Sequence, residues 1–177
     1  MDVLGNYVKL FADLAAKKAA VGWFPSSVYP IEEPVENAGD SEELTKARKK
    51  AYERHQAGFL GKYQSGGAPV AAVAFLQEFG SKKIPARPFM RPTITKQSKH
   101  WGVIVSHLIK PDAQAEDVVE LIGLRMQGDI REAIVEVTSP ALSEFTLEQR
   151  QARGNSSEKP LNDTGYMMAT LTSVVQG

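Results

Sequence analysis

The sequence predicts an α+β chain, with helices over most of its length and short strands near its two ends. Three observations predict it. Apolar residues recur at three- and four-residue steps over 2–18, 69–79 and 113–137, the period of a helix that buries one face. β-prone runs, Val21-Gly22-Trp23-Phe24 and residues 170–175, lie near the two termini. Hydrophobic residues make up 42% and charged residues 24% of 177, which suits one ordinary globular domain.

The elements follow in order. Over residues 2–18, Leu4, Tyr7, Val8, Phe11, Leu14 and Ala15 form an apolar face, with Lys9, Asp13 and Lys17 on another. Val21 to Phe24 reads as a strand closed by Pro25-Ser26-Ser27, and Pro30 and Pro34 keep the next segment irregular. Residues 31–67 are a charged insertion. Six acids and no base lie between Glu32 and Glu43, then six bases and one acid between Lys46 and Lys62. Ser41 can cap a helix there whose acids and bases complement its macrodipole. Such a segment is either a solvated surface helix or a charged arm, through Lys46, Lys49, Lys50 and Arg54, that orders against a partner.

Residues 69–79 return to helix, with Val70, Val73, Ala74 and Phe79 on one side and Gly80 as the C-terminal stop. Prolines 85, 88 and 92 then force an extended path, and a helix resumes near Thr95, its stripe formed by Trp101, Ile104, Val105 and Leu108. The strongest signal is one long helix near 113–137. Val119, Ile122, Met126, Ile130, Ala133 and Val137 form its face, supported by Ile134, and Asp112 is its expected cap. Gly123 and Gly128 within it either admit another backbone or are merely tolerated. Thr146 and Gln149 form a capping box for a short helix over 147–153.

Charge is zero in sum: 21 Lys and Arg balance 21 Asp and Glu. A dedicated nucleic-acid binder is expected to be basic overall. The balance is uneven along the chain. Seven bases and no acid lie between Phe79 and Pro111, whereas nine acids and two bases lie between Asp112 and Glu148. Opposed segments of this kind suit docking between copies, or pairing within one copy. The basic 82–110 segment, with Trp101 as a stacking platform, also supports a nucleic-acid binding reading.

Catalytic motifs fare poorly. There is no cysteine, so thiol chemistry and cysteine-ligated metals are excluded. Asp163-Thr164-Gly165 matches an aspartic-protease loop, but those enzymes need two such carboxylates, and a structural turn accounts for it. His100 and His107 lack metal-ligand spacing, and His55 lies outside any recognisable motif. Gly58 to Lys62 is too short for a phosphate loop, and no nucleophile elbow exists. Neither an enzyme nor a cofactor, metal or membrane span is expected, and the N-terminus lacks the features of a signal peptide.

Four segments carry a resemblance. They are Val21-Gly22-Trp23-Phe24, residues 73–80 ending in Glu78-Phe79-Gly80, Ile84-Pro85-Ala86-Arg87-Pro88-Phe89-Met90-Arg91, and Lys159-Pro160-Leu161-Asn162-Asp163-Thr164-Gly165-Tyr166-Met167. In this order the chain resembles the neck and tail-completion proteins of tailed bacteriophages, a group that includes minor tail and virion-morphogenesis proteins. The charged insertion at 31–67 lies outside the likeness.

The resemblance implies a small antiparallel sheet flanked by helices in a single 1–177 domain, the C-terminal strand returning beside the first. It implies a non-enzymatic ring subunit of six or twelve copies at the head–tail junction, assembled in the host cytoplasm and resident in the virion. Its partners would be neighbouring neck, portal-side and tail proteins, with weak contact to DNA in the channel. Phe79, Ile84, Arg87, Phe89 and Arg91 are the candidate subunit-interface residues. Arg87 and Arg91 would meet a neighbour's carboxylates and Phe89 a neighbour's pocket, unless this segment folds back on its own core.

Overall fold

A computed structural model describes residues 2–24, 27, 42–43, 45–46, 49, 69–152 and 154–177. These residues form six helices and two strands: α1 (Val3–Ala16), β1 (Lys18–Gly22), α2 (Val70–Phe79), α3 (Met90–Leu108), α4 (Ala115–Glu136), α5 (Glu144–Gln151), α6 (Tyr166–Ala169) and β2 (Thr172–Gln176). The fold is α+β. The chain divides into two compact units, one built from 1–23, 88–136 and 171–177, the other from 24–87 and 137–170.

The first unit is a two-stranded sheet laid on a long helix. β1 and β2 pair antiparallel, from Lys18 opposite Gln176 to Gly22 opposite Thr172, so the C-terminal strand returns beside the first. β1 begins three residues before the expected Val21, and Trp23 and Phe24 lie beyond it. Its pairing with β2 sets the strand limits, overriding the weak β-propensity of Ala19 and Ala20. The helix α4 packs on both strands, on α1 and on α3.

The face that α4 buries is the expected one, with Val119, Ile122, Ile130 and Ile134 inside, joined by Ala115, Val118, Gln127 and Asp129. Gly123 faces the sheet. A Cβ there would lie 3.3 Å from Ser173 Cβ and 3.5 Å from Ala19 Cβ, so this glycine lets the strands approach the helix. Gly128 is exposed and a Cβ there would meet nothing within 4 Å, so it is the tolerated one.

Polar groups on α4 tie this unit together. Gln127 Nε2 donates to Leu171 O at 2.7 Å and Arg131 Nη2 donates to the same oxygen at 2.8 Å. Ser173 Oγ completes the set with Gln127 Oε1 at 3.2 Å. These bonds fix the entry of β2, because a buried carbonyl and amide must find partners. Asp129, also buried, accepts from Trp101 Nε1 at 2.6 Å and pairs with Arg125 at 2.9 Å.

Two helix faces differ from expectation. In α1 the buried line runs through Tyr7, Leu10 and Leu14, while Leu4, Val8 and Phe11 stay exposed. This helix is apolar over more than one stripe, so periodicity alone could not choose the stripe that α4 covers. In α2 the buried side is Val70, Ala74 and Glu78, and Phe79 is half exposed rather than buried.

Helix limits shifted for local reasons. α3 starts at Met90 and takes Pro92 into its first turn, where the missing N–H has no intrahelical partner to lose. Asp112 lies in the turn before α4 rather than at its cap. α5 is capped by Ser143, whose Oγ accepts from Thr146 N at 3.3 Å, three residues before the expected capping residue Thr146.

Gly128→Ala should raise stability by about 1 kcal/mol, the helix-propensity difference. Gly123→Ala should gain less or lose, because Ser173 and Ala19 must give way. Urea denaturation of the two variants measures the difference.

Candidate functional site

Of the segments that carry the resemblance, the stretch from α2 to Arg87 is a closed fold-back within the second unit. It starts from Gly80, which ends α2 with φ +74°, a conformation that glycine alone adopts cheaply. A Cβ at Gly80 would lie 2.8 Å from Ala86 N and 3.0 Å from Ile84 O, so the turn has no room for one. Ser81 N donates to Ile84 O at 2.8 Å, and Ser81 Oγ accepts from the amides of Lys83 and Ile84. Arg87 N then donates to Gln77 O at 2.6 Å, returning the extended chain to α2.

Arg87 locks this return. Its guanidinium donates through Nε to Pro140 O at 2.7 Å, through Nη2 to Ala141 O at 2.9 Å, and through Nη1 to Gln77 Oε1 at 3.3 Å. Burial first, and then the charge of Arg150, hold its pKa below the ordinary arginine value. The carbonyl dipoles offset that cost, since charge-assisted hydrogen bonds are the stronger kind.

A second arginine organises residues 154–165, which overlap the last segment of the likeness. Arg150, buried, donates through Nη1 to the carbonyls of Ser157, Lys159 and Asn162 at 2.8, 2.8 and 3.3 Å. Its Nε lies 3.5 Å from Asp163 Oδ1, an ion pair without a hydrogen bond. Asn155 Nδ2 donates to Asp163 O and Oδ1, both at 2.8 Å. Thr164 Oγ1 accepts from Tyr166 N, and Gly165, at φ +73°, opens α6. Asp163-Thr164-Gly165 is thus a turn whose carboxylate is engaged by Arg150 and Asn155.

The five candidate interface residues separate. Arg87 is 5% exposed and spends its donors on its own chain, so the expectation of a neighbour's carboxylate is corrected. Phe89 is 2% exposed and packs edge-on against Trp23 at 6.0 Å, so its pocket is internal too. The physical reasons differ: the fold-back onto α2 carries Arg87 inward within the second unit, and Phe89, just before α3, turns its ring onto Trp23 within the first. Phe79 is half exposed and lies 4.6 Å from the exposed Phe75 ring, Ile84 is half-buried, and Arg91 is exposed at the start of α3.

In the charged arm, Lys46 and Lys49 are in helical conformation, and Lys46 Nζ lies 2.8 Å from Glu42 Oε1. Lys50, Arg54 and His55 lie outside the described residues. Trp101 is buried with its N–H committed to Asp129, which removes it as a platform for a base. His100 and His107 are exposed on α3. Among the described residues no group of three or more His, Cys, Asp or Glu could hold a metal ion, and no helix is long and apolar enough to cross a membrane.

Sequence reasoning missed Arg150, Asp129, Gln127 and Arg131. Gln127 and Asp129 sit on the buried face of α4 by spacing, which is a usable signal; Arg150 carries none. No protein-family profile, no curated protein and no solved structure matches this chain.

Arg150→Ala should cost about 3 kcal/mol, since it strands the three carbonyls that its buried guanidinium holds and removes the cation beside Asp163. Asp163→Asn should cost less than about 1 kcal/mol, because that carboxylate is partly solvated. Thermal unfolding of both variants separates a structural turn from one organised around the aspartate.

Proposed function

We propose that this chain is a non-enzymatic structural subunit of a tailed-phage virion, forming a ring at the head–tail junction that joins adjacent rings around the DNA channel. The observation that carries the assembly part is apolar surface. On α1, Leu4, Val8 and Phe11 are 75%, 64% and 53% exposed and share one stripe, and on α2 Phe75 is 60% exposed. Contiguous exposed apolar patches of this kind mark association surfaces.

The head–tail assignment is supported by the sequence likeness at Glu78–Arg91 and Lys159–Met167. The fold-back geometry makes sense of those residues as a rigid buckle, with Gly80, Arg87 and Gln77 as its closing parts. A minor tail role within the same group uses the same features.

The nucleic-acid reading retains the exposed Lys96, Lys99, His100 and Lys110 but has lost its aromatic platform. Weak, salt-sensitive contact with channel DNA is compatible with a ring.

Electron microscopy of the purified chain should show closed rings of one copy number, and Asp163→Asn should leave them intact. A monodisperse monomer, both alone and with neck partners, would contradict the proposal.

A further inference from the structure

Among the described residues the sheet has two strands and therefore two outer edges. Among the described residues, no backbone group of β1 or β2 pairs with any backbone except that of the opposite strand. Natural proteins usually blunt such edges with charge, proline or a bulge. β2 reads Thr-Ser-Val-Val-Gln and has none of these, and β1 has only Lys18, at its first residue. The edges match in length, five residues each, and the register between the strands runs without a bulge.

Beside the edge of β2 lies an open groove of about 450 Å³, bounded on the helix side by Glu120, Gly123, Leu124 and Gln127. It lies on the face of the sheet that α4 covers, since Ser173 and Ala19 point at Gly123. α1 packs on α4 and joins β1 through Lys17 alone. A β1 strand arriving from another copy therefore brings its α1 along, with Leu4, Val8 and Phe11 exposed.

We propose that copies join edge to edge, the outer edge of β1 in one copy adding to the outer edge of β2 in the next, with the α1 stripe entering the groove beside Leu124. This rests on the ring reading and specifies its contact. A second copy is the occupant that the observations favour, because one head-to-tail contact satisfies both open edges of every copy, whereas any other strand satisfies one. The small rotation between neighbours in a ring of six or twelve changes strand direction little, so β1 of one copy runs antiparallel to β2 of its neighbour, as it does to its own β2. Main-chain bonds supply the edge pairing, and the apolar stripe supplies burial.

The test pairs a double variant with amide exchange. Val8→Lys with Phe11→Lys alters two exposed positions, so far-UV circular dichroism should not change. Sedimentation velocity should show rings for the wild-type chain and monomer for the variant. Hydrogen exchange read by mass spectrometry should show residues 18–22 and 172–176 slower in the ring than in the variant. Rings that persist in the variant, with equal strand exchange, would overturn the edge contact and leave the ring reading standing. A wild-type chain that stays monomeric at every concentration would overturn both.

Discussion

Two strands of five residues cannot hold themselves together in water, and the helix α4 supplies what they lack. It does so with a glycine and two polar side chains. Gly123 removes the Cβ that would hold the sheet away, and Gln127 and Arg131 grip Leu171 O at the point where β2 begins. The rest of the first unit arranges itself around that helix. α1 lies on it through Leu10, and α3 is pinned by the bond from Trp101 to Asp129. A carboxylate at that depth is costly unless paired, and here it has both an indole N–H and a guanidinium.

The second unit solves a different problem with arginine. Segments rich in proline and glycine make few of their own backbone bonds, so their carbonyls need donors from elsewhere. Arg87 and Arg150 each bring several donors to such carbonyls, Arg87 closing the fold-back after α2 and Arg150 gathering the 154–165 loop. A lysine could not replace Arg87, whose Nε, Nη1 and Nη2 all donate, since a single ammonium lacks the planar set of directed donors. Asp163 is part of this arrangement as a partner for Arg150, a structural role that needs no second carboxylate.

Legibility in the sequence followed burial. The long helix, the C-terminal strand and the stop at Gly80 were readable because each rests on a strong local rule: long periodicity, β-propensity, or a glycine after an apolar run. The stripe of α1 was not, because Leu4, Val8 and Phe11 satisfy helical spacing as well as Tyr7, Leu10 and Leu14 do, and only the position of α4 decides between them. Among the candidate site residues, Arg87 and Phe89 stand out in the sequence as contacts for a neighbour or as parts of a segment folded back on its own core, and their burial favours the second. Residue type at an interface and residue type in a tight fold-back look alike in sequence, since both favour arginine and aromatics beside proline. Arg150 was invisible because its partners are backbone carbonyls, which every residue has. The opposed charge blocks remain consistent with contact between copies, and the apolar stripe on α1 gives such contact a surface.

The dependence of the sheet on α4 is tested most directly by native-state hydrogen exchange in Gln127→Ala. The account predicts that the amides of Lys18–Gly22 and Thr172–Gln176 lose protection together, because both strands share one support. Unchanged protection, or loss confined to β2 while β1 stays protected, would contradict it.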